Sequence, residues 1–409
     1  MNAFRRDIQI AMLTMVAIVL FAGAALCPAS AQDRYESTFN GHRIIYPASS
    51  IPWPGRQHTN YFFVDSDQLA APQPPAGAET PGSVACVYQF VAGPTGCPIA
   101  TSTTVPNGGI GAIAIVDAGY YPTAQSDLDA FDTYFGIPAT TITQVWPTPI
   151  RPPVYQDWEV EEALDIEWAH AMAPQAKLFL VVSALCEIPA CTTDPTWQAV
   201  QYAGRLVAAN GGGVVSMSFG DAEIPQETGF DQYFTQPGVV YFAAAGDSGL
   251  GVSGYPAASP NIVSVGGTYF NRDSNGKFTY EQYYTGGGGG DLSPYEPRPS
   301  YQNGIAGIVG THRGYPDISS DFCCAAIYLG GWGSVGGTSW SSPTMAGIVN
   351  AAGSRRQSSL AQLTSMYSKL ANPGAYHADF NDITTGDSRC KPGWDLCTGL
   401  GSPKTYAGK

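Results

Sequence analysis

Charge is what this sequence has least of. Only 13% of its 409 residues are Asp, Glu, Lys or Arg, and 19 basic residues stand against 33 acidic ones. A formal net charge of −14 excludes electrostatic binding to nucleic acid or to anionic membranes. No Cys stands at zinc-finger spacing with His, which excludes a structural zinc site. No internal repeat is present, so solenoids and propellers are excluded. Beyond residue 26 no apolar run is long enough to span a bilayer. Scarce charge combined with 44% hydrophobic residues, 48 Gly and 32 Pro also excludes a disordered chain and describes a compact, loop-rich one.

The N-terminus has the form of an export signal. Arg5 and Arg6 precede an apolar run over residues 8–26, and Ala29-Ser30-Ala31 is a small-residue cleavage site before Gln32. The run is near spanning length, so a membrane anchor is the alternative; a lipoprotein would need a small residue where Leu26 precedes Cys27. Residues 1–31 are therefore expected to be a signal peptide. The mature protein is expected outside the cell, or in the periplasm of a host with two membranes, as a monomer with no membrane attachment. Its removal leaves 17 basic against 32 acidic residues, a balance tolerable at acid pH where many carboxylates are neutral. Eight cysteines remain, an even number in an exported chain. Three close pairs stand out: Cys86 with Cys97, Cys186 with Cys191, and Cys390 with Cys397. The adjacent Cys323 and Cys324 fit either a vicinal bridge or two free thiols.

Residues 32–85 are expected to be an irregular, Pro/Ala-rich extension ending in Ala70-Ala71-Pro72-Gln73-Pro74-Pro75. From Cys86 to residue 409 strand and helix signals alternate within one domain, and the glycine run 286–290 is a loop inside it. Short Val- and Ile-rich runs at 110–116, 177–183, 214–218, 239–244 and 262–265 are separated by helical patterns at 126–135, 160–172 and 196–210. That alternation predicts an α/β fold with a mainly parallel sheet covered on both faces.

Three stretches carry polar residues suited to chemistry. Gly336-Gly337-Thr338-Ser339-Trp340-Ser341-Ser342-Pro343 frees the backbone to turn and then presents hydroxyls ahead of an apolar helix expected to begin at Pro343. A serine pinned there is a candidate nucleophile, although Ser341 or Ser342 could simply cap the helix, and Ser342 is the expected cap. In Glu159-Val160-Glu161-Glu162-Ala163-Leu164-Asp165, Glu161 and Asp165 share a helix face one turn apart, the alternative being a solvated acidic face. At pH 4 a His is protonated and cannot accept a serine proton, whereas a Glu can. Finally, Ala243-Ala244-Ala245-Gly246-Asp247 delivers Asp247 at a strand end, either as a protonated donor to a developing oxyanion or as an Asx turn.

Together these stretches resemble the sedolisin, or serine-carboxyl, peptidases. Glu161-x3-Asp165 with Ala173-Pro174, Ala245-Gly246-Asp247-Ser248-Gly249 and Gly337-Thr338-Ser339 with Pro343 carry the likeness. So do Tyr255-Pro256-Ala257-Ala258-Ser259-Pro260, Val265-Gly266-Gly267-Thr268, Gly314-Tyr315-Pro316-Asp317-Ile318 and Gly399-Leu400-Gly401-Ser402-Pro403, in the family's order. The resemblance implies a subtilisin-like doubly wound fold and peptide-bond hydrolysis in acid. It makes Ser339 the nucleophile, Glu161 its base, Asp165 the support of Glu161, and Asp247 the oxyanion donor. It also implies one structural Ca2+, held by the carboxylates of Asp382 and Asp395 and the carbonyls of Ile383, Lys391 and Gly393, with Lys391 standing where the family commonly has Gly. Other departures are the absence of the family's long propeptide, Phe219 in place of a common Trp, and Asp117 where some members have Glu. Polypeptides are the implied substrates and endopeptidase cleavage the default mode. Two alternatives are weighed. One is a calcium-stabilised binding protein on the same fold without turnover. The other is an ordinary subtilisin, since 113–117 resembles that family's Asp strand; none of the five His residues has the required context before Gly-Thr.

Overall fold

The stretch expected to be irregular holds strands. In the computed structural model, which describes residues 35–409 except Pro54, 186–194, Ser253, Gly286 and Arg355, the chain enters through β1 (Tyr35–Phe39), β2 (His42–Tyr46), β3 (His58–Thr59) and β4 (Phe62–Val64). The export signal at 1–31 and the Cys186–Cys191 pairing lie outside the described residues. The reason these strands escaped notice is physical. They run two to five residues, and β3 and β4 pair with strands near residues 219 and 335, far along the chain, where no local window records the pairing; only the β1–β2 hairpin across Asn40-Gly41 is local. Ile44, Ile45, Phe62 and Phe63 nevertheless supply the apolar side chains that bury them.

After helix α1 (Pro81–Val87), capped by Thr80, the alternating part begins. It comprises β5 (Ala112–Ala118), α2 (Ala124–Phe135), β6 (Ile142–Val145), α3 (Gln156–Met172), β7 (Lys177–Ser183), α4 (Pro195–Ala209), β8 (Gly213–Met217), β9 (Phe219–Ala222), β10 (Val239–Ala244), β11 (Gly254–Tyr255), β12 (Val263–Arg272) and β13 (Phe278–Tyr283). Then follow β14 (Asp291–Pro297), β15 (His312–Tyr315), β16 (Ile318–Asp321), β17 (Ala325–Tyr328), β18 (Trp332–Gly336), α5 (Thr338–Ala351) and α6 (Ser359–Ser368). The main sheet has the order β13-β12-β10-β8-β5-β7-β6, with β16 also paired to β12. Every pairing in it is parallel except β12 with β13. A second, antiparallel sheet runs β1-β2-β4-β18-β17, and β3 joins β9 and β11 in a third.

Helices cover both faces of the main sheet. Ile113 and Ile115 of β5 pack with Val160, Leu164 and Met345 from α3 and α5, while Ala112, Ala114 and Val116 pack with Ala199, Ala203 and Val207 of α4. The period of two along one strand thus feeds two separate cores. On the first face α3 and α5 lie in direct contact, with Trp168 and Trp340 meeting edge to face at 4.7 Å. A Cβ on Gly347 of α5 would stand 2.7 Å from the Ala169 carbonyl of α3 and 2.7 Å from Met172 Cβ, so only glycine permits this approach.

Pro343 lies inside α5 and does not begin it, and Ser342 is not its cap. The helix starts five residues earlier because the cost of a mid-helix proline is offset. Pro343 offers no N–H to the carbonyl of Ser339, and the Ser218 hydroxyl faces that carbonyl at 3.2 Å. Ser342 instead meets Ser216 at 3.0 Å. The solvated acidic face is also excluded, because every residue of α3 from Val160 to Met172 is buried. Among the described residues three disulfides are formed, Cys86–Cys97, Cys390–Cys397 and the vicinal Cys323–Cys324. Among the described residues no helix is long and apolar enough to cross a membrane.

Filling the helix crossing should be costly. Gly347→Val is expected to destabilise the protein by about 1–3 kcal/mol and to lower turnover, because α3 and α5 both carry site residues. Denaturant unfolding and a peptidase assay check both effects.

Candidate active site

Ser339 is the second residue of α5, reached from β18 through Gly337, whose φ of +131° favours glycine. Its side chain is fully buried. The hydroxyl donates to the Ser218 carbonyl at 3.0 Å and accepts the Asn60 N–H at 3.1 Å. The Ser339 N–H in turn donates to the Asn60 carbonyl at 3.0 Å. A backbone N–H and a side-chain hydroxyl of one residue thus grip both main-chain polar groups of Asn60, in the N-terminal segment.

Behind Ser339 stands a group of carboxyls. Glu161 and Asp165 project from α3, and Asp117 lies near the C-terminal end of β5, each at most 1% exposed. Burial pushes Glu161 well above the ordinary range, Asp117's charge adds to that, and the Ser339 hydroxyl and Asn60 N–H partly offset it. Burial and the charges of Asp117 and Glu161 raise Asp165 likewise, and burial raises Asp117. None of the charges acting on these three is positive. Such a group holds protons in common and titrates as a unit. The Ser339 hydroxyl and the Asn60 N–H lie close enough to favour a charged Glu161, but their well-formed hydrogen bonds go to the Ser218 carbonyl and the Ser339 hydroxyl. The Ser218 hydroxyl lies 2.8 Å from Asp165 Oδ1, so a protonated Asp165 frees Ser218 to donate to the Ser339 carbonyl.

Asp247 follows β10 and faces the turn from the other side. Thr338 donates to its Oδ1 twice, from N–H at 2.9 Å and from the hydroxyl at 2.7 Å. Oδ2 is buried without a partner. Burial lifts this carboxyl to about 7, with the Thr338 bonds opposing the rise. In acid, Asp247 therefore carries a proton and has one oxygen free to donate it. A Cβ on Gly337 would collide with the Asn60 carbonyl and stand 2.7 Å from Oδ2, so both oxygens border the same point. His170, on the same helix as Glu161, bonds the Pro138 carbonyl at 2.9 Å and stands 3.2 Å from Asp132.

The profile of the subtilase family matches residues 161–365, half of the chain, a span containing Glu161, Asp165, Asp247 and Ser339. The chain belongs to the subtilases. Within them it is a serine-carboxyl peptidase of the sedolisin type. It is 29% identical to kumamolisin of Bacillus sp. (strain MN-32) over 430 aligned positions, covering 94% of this chain and 71% of that protein. Sedolisin of Pseudomonas sp. (strain 101) is 34% identical over 170 positions, covering 36% of this chain and 28% of that one. Tripeptidyl-peptidase 1 of Dictyostelium discoideum is 28% identical over 322 positions, covering 68% and 51%. In fold, the chain is similar to the Pseudomonas sedolisin complexed with two molecules of pseudo-iodotyrostatin. The TM-score is 0.64 at 23% identity, covering 80% of this chain and 95% of that one.

Three residues of this sedolisin's site escaped the sequence reading. Asn60 lies in a segment taken as irregular, and nothing local marks it. Ser218 had a faint signal, standing just beyond a buried strand where parallel sheets place their sites. Thr338 was visible only as part of Gly-Thr-Ser. Asp117, noted only as standing where some family members have Glu, is a third carboxyl acting on Glu161 and Asp165.

The C-terminal loop brings Asp382 and Asp395 to the same backbone. The Gly393 N–H donates to both oxygens of Asp382, at 3.2 and 3.0 Å, and the Lys391 N–H donates to Asp395 Oδ2 at 2.5 Å. Asp395 Oδ1 accepts the N–H groups of Cys397 and Thr398, each at 3.0 Å. Burial lifts Asp395 to about 6 despite those bonds, and the charge of Asp382 adds to the rise. Cys390 and Cys397 are joined to each other and offer no thiolate. The available donors are all oxygen, which fits a hard cation.

The raised carboxyls set a stability profile. Buried Glu281 is lifted to about 7, Glu296 to about 8 and Glu227 to about 9, chiefly by burial. A carboxyl raised on folding contributes stability that is fully present below about 4 and is lost as pH rises through its folded value. The Tm of Ser339→Ala is therefore expected to be lower at pH 8–9 than at pH 4, by on the order of 10 °C. A Tm that rises toward neutral pH would contradict these environments.

Proposed function

We propose that this sedolisin is a secreted endopeptidase acting in acid through Ser339, Glu161 and Asp165, with Asp247 as oxyanion donor. One observation carries the reading: Asp247 Oδ2, buried and unpartnered, and the Ser339 N–H border the same carbonyl position beside the Ser339 hydroxyl. The hydroxyl first turns from Ser218 to Glu161 and gives up its proton, and Ser339 attacks the scissile carbonyl. Protonated Asp247 and the Ser339 N–H receive the oxyanion. Glu161 then protonates the leaving amine, and water hydrolyses the acyl-enzyme. Asp165 and Asp117 act through Glu161, sharing its proton and holding it in the buried group.

Endopeptidase action is supported by the space around Ser339. A chain continuing beyond His58 on one side and Val64 on the other lies across the serine, so the site does not require a free terminus near the bond. Export is supported by the N-terminal signal pattern and by three disulfides.

One Ca2+ would be held by Asp382, Asp395 and the main-chain oxygens of Ile383, Lys391 and Gly393, and it would relieve the repulsion between the two carboxylates. EGTA is expected to lower the Tm at pH 5, with recovery on adding Ca2+ but not Mg2+. An unchanged Tm together with no calcium in elemental analysis would remove the ion.

The catalytic assignment is tested on denatured haemoglobin or casein. Ser339→Ala and Glu161→Gln should each lose at least about 10³-fold in kcat at pH 4. Turnover by the parent enzyme should fall as pH rises through about 7, where Asp247 ionises. Asp247→Ala should lose about 10²–10³-fold. Asp247→Asn, a donor at every pH, should keep partial turnover and shift the alkaline limb upward. Full activity of Glu161→Gln, or parent activity that instead rises above pH 7, would sink the scheme.

A further inference from the structure

Against the serine turn lies a short segment, Phe322-Cys323-Cys324, which joins β16 to β17. The Phe322 carbonyl accepts the Gly337 N–H at 2.8 Å, and the Asp321 carbonyl accepts the Ser341 hydroxyl at 3.1 Å. Just beyond, Ala325 pairs antiparallel with Val335 of β18. A Cβ on Gly336 would stand 2.6 Å from the Phe322 carbonyl oxygen, so the two backbones are in direct contact. Gly337 and Ser341 bracket Ser339, and both rest on this segment. Its cysteines are joined to each other, and Cys324 has a φ of +78°, in the left-handed region that a side chain disfavours. From that conformation the Cys324 carbonyl accepts the Glu79 N–H at 2.7 Å. Both cysteines border a cavity of about 840 Å3, shared with Glu79, Ser102, Tyr269 and Arg272 and roomy enough for a small thiol.

We propose that the Cys323–Cys324 bridge is a positioning element for Ser339 and that its reduction to two thiols disarms the enzyme. This rests on the peptidase reading above. A bridge between adjacent residues closes a small ring through the peptide bond that joins them, and the ring restricts the backbone angles of both. It thereby ties Phe322, whose carbonyl holds the Gly337 N–H, to Cys324, whose carbonyl holds the Glu79 N–H. With the ring opened, Cys324 is an ordinary residue at positive φ and relaxes toward the negative-φ regions open to every side chain. The Phe322 carbonyl turns with it, and the turn that presents Ser339 loses its support. A displacement of about 1 Å is enough to cost on the order of 10²-fold in turnover.

The exchange balances. A thiolate from a small thiol attacks one cysteine sulfur, the Cys323–Cys324 bond breaks, and the other cysteine leaves as a thiolate that takes up a proton. A second thiolate attacks the external sulfur of the mixed disulfide, releasing the first cysteine and one small-molecule disulfide. The protein gains two electrons and two protons, and two small thiols are oxidised. Oxidation reverses both steps. An ordinary thiol titrates near ~8.5, so at pH 4 about one molecule in 10⁴–10⁵ is ionised and exchange nearly stops. The state reached in neutral surroundings is therefore kept in acid, where turnover is proposed. The chain is disarmed where thiols are kept reduced, and it is armed after export, where the bridge forms.

Casein hydrolysis at pH 4 is measured before and after treatment with tris(2-carboxyethyl)phosphine, which reduces disulfides in acid. Thiol alkylation and peptide mass mapping show which bridges have opened. Opening Cys323–Cys324 should lower kcat about 10–100-fold with KM little changed. The loss is expected well below the Tm, with an unchanged circular dichroism spectrum, and reoxidation should reverse it. Cys323→Ala combined with Cys324→Ala should show the reduced enzyme's kcat and ignore the phosphine. Cys323→Ala combined with Cys324→Gly should recover most of the turnover, since glycine holds a φ of +78° without a bridge. A double-alanine variant as active as the parent overturns the inference, and so does a glycine variant no more active than the double-alanine one. Full activity of an enzyme mapped with two free thiols at these positions overturns it too, as does a loss on reduction that the double-alanine variant shares. In each of those cases the untreated enzyme still cleaves casein and the peptidase reading stands. A bridged, untreated enzyme without action on casein overturns both.

Discussion

The contact between α3 and α5 is the constraint on which the site depends. One helix carries Glu161 and Asp165, the other begins with Thr338 and Ser339, and the Gly347–Ala169 approach brings them together. The Trp168–Trp340 contact lies between the acidic turn and the serine turn and limits rotation of either helix. Because protein interiors are packed at crystal-like density, such a crossing does not slide by small amounts. The same contact makes the acids inaccessible to water, and so gives them their chemistry.

Burial without a countercharge would ordinarily be a liability. Asp117, Glu161 and Asp165 are held against one another with no cation among their influences, and ionising all three in a low-dielectric site would cost several kcal/mol. Protonation removes most of that cost, and it is available in acid. Asp247 obeys the same logic on the opposite side of Ser339. One oxygen is occupied by Thr338, and the other is left to carry the proton. Stability and the proposed mechanism thus favour the same pH range for one reason: the buried carboxyls are comfortable only when protons are shared among them. A chain poor in Lys and Arg can tolerate such a core, because it places few competing cations around it.

The order of parallel strands was legible because each is a continuous apolar run, a pattern needed only when both faces are covered. Glu161, Asp165, Asp247 and Ser339 were legible because each sits at a marked place: one helix face, a strand end and a glycine turn. The start of α5 was misread for an instructive reason. Proline is rightly taken as a helix start when its missing N–H has no other compensation, and here Ser218, more than a hundred residues away, supplies it. The N-terminal strands were missed for a similar reason. The partners of β3 and β4 lie in β9 and β18, where a two-residue ladder leaves no local period to read, whereas the β1–β2 hairpin through Asn40-Gly41 was local and was overlooked.

By itself the sequence determined the fold class and the family and singled out Glu161, Asp165, Asp247 and Ser339 as candidates, because these depend on local pattern and on motifs kept in order along the chain. Only the tertiary structure decided that the acidic helix is wholly buried, that Asp117 joins Glu161 and Asp165, and that Asn60 lies against Ser339. Each of those is a contact between segments far apart in the chain. Residue types state what chemistry is available, but the pKa of a carboxyl and the occupant of a cleft depend on which distant segments fold against it. The glycine turn before Ser339 shows both halves. Its motif announced a serine held for use, and the fold shows what that serine already holds.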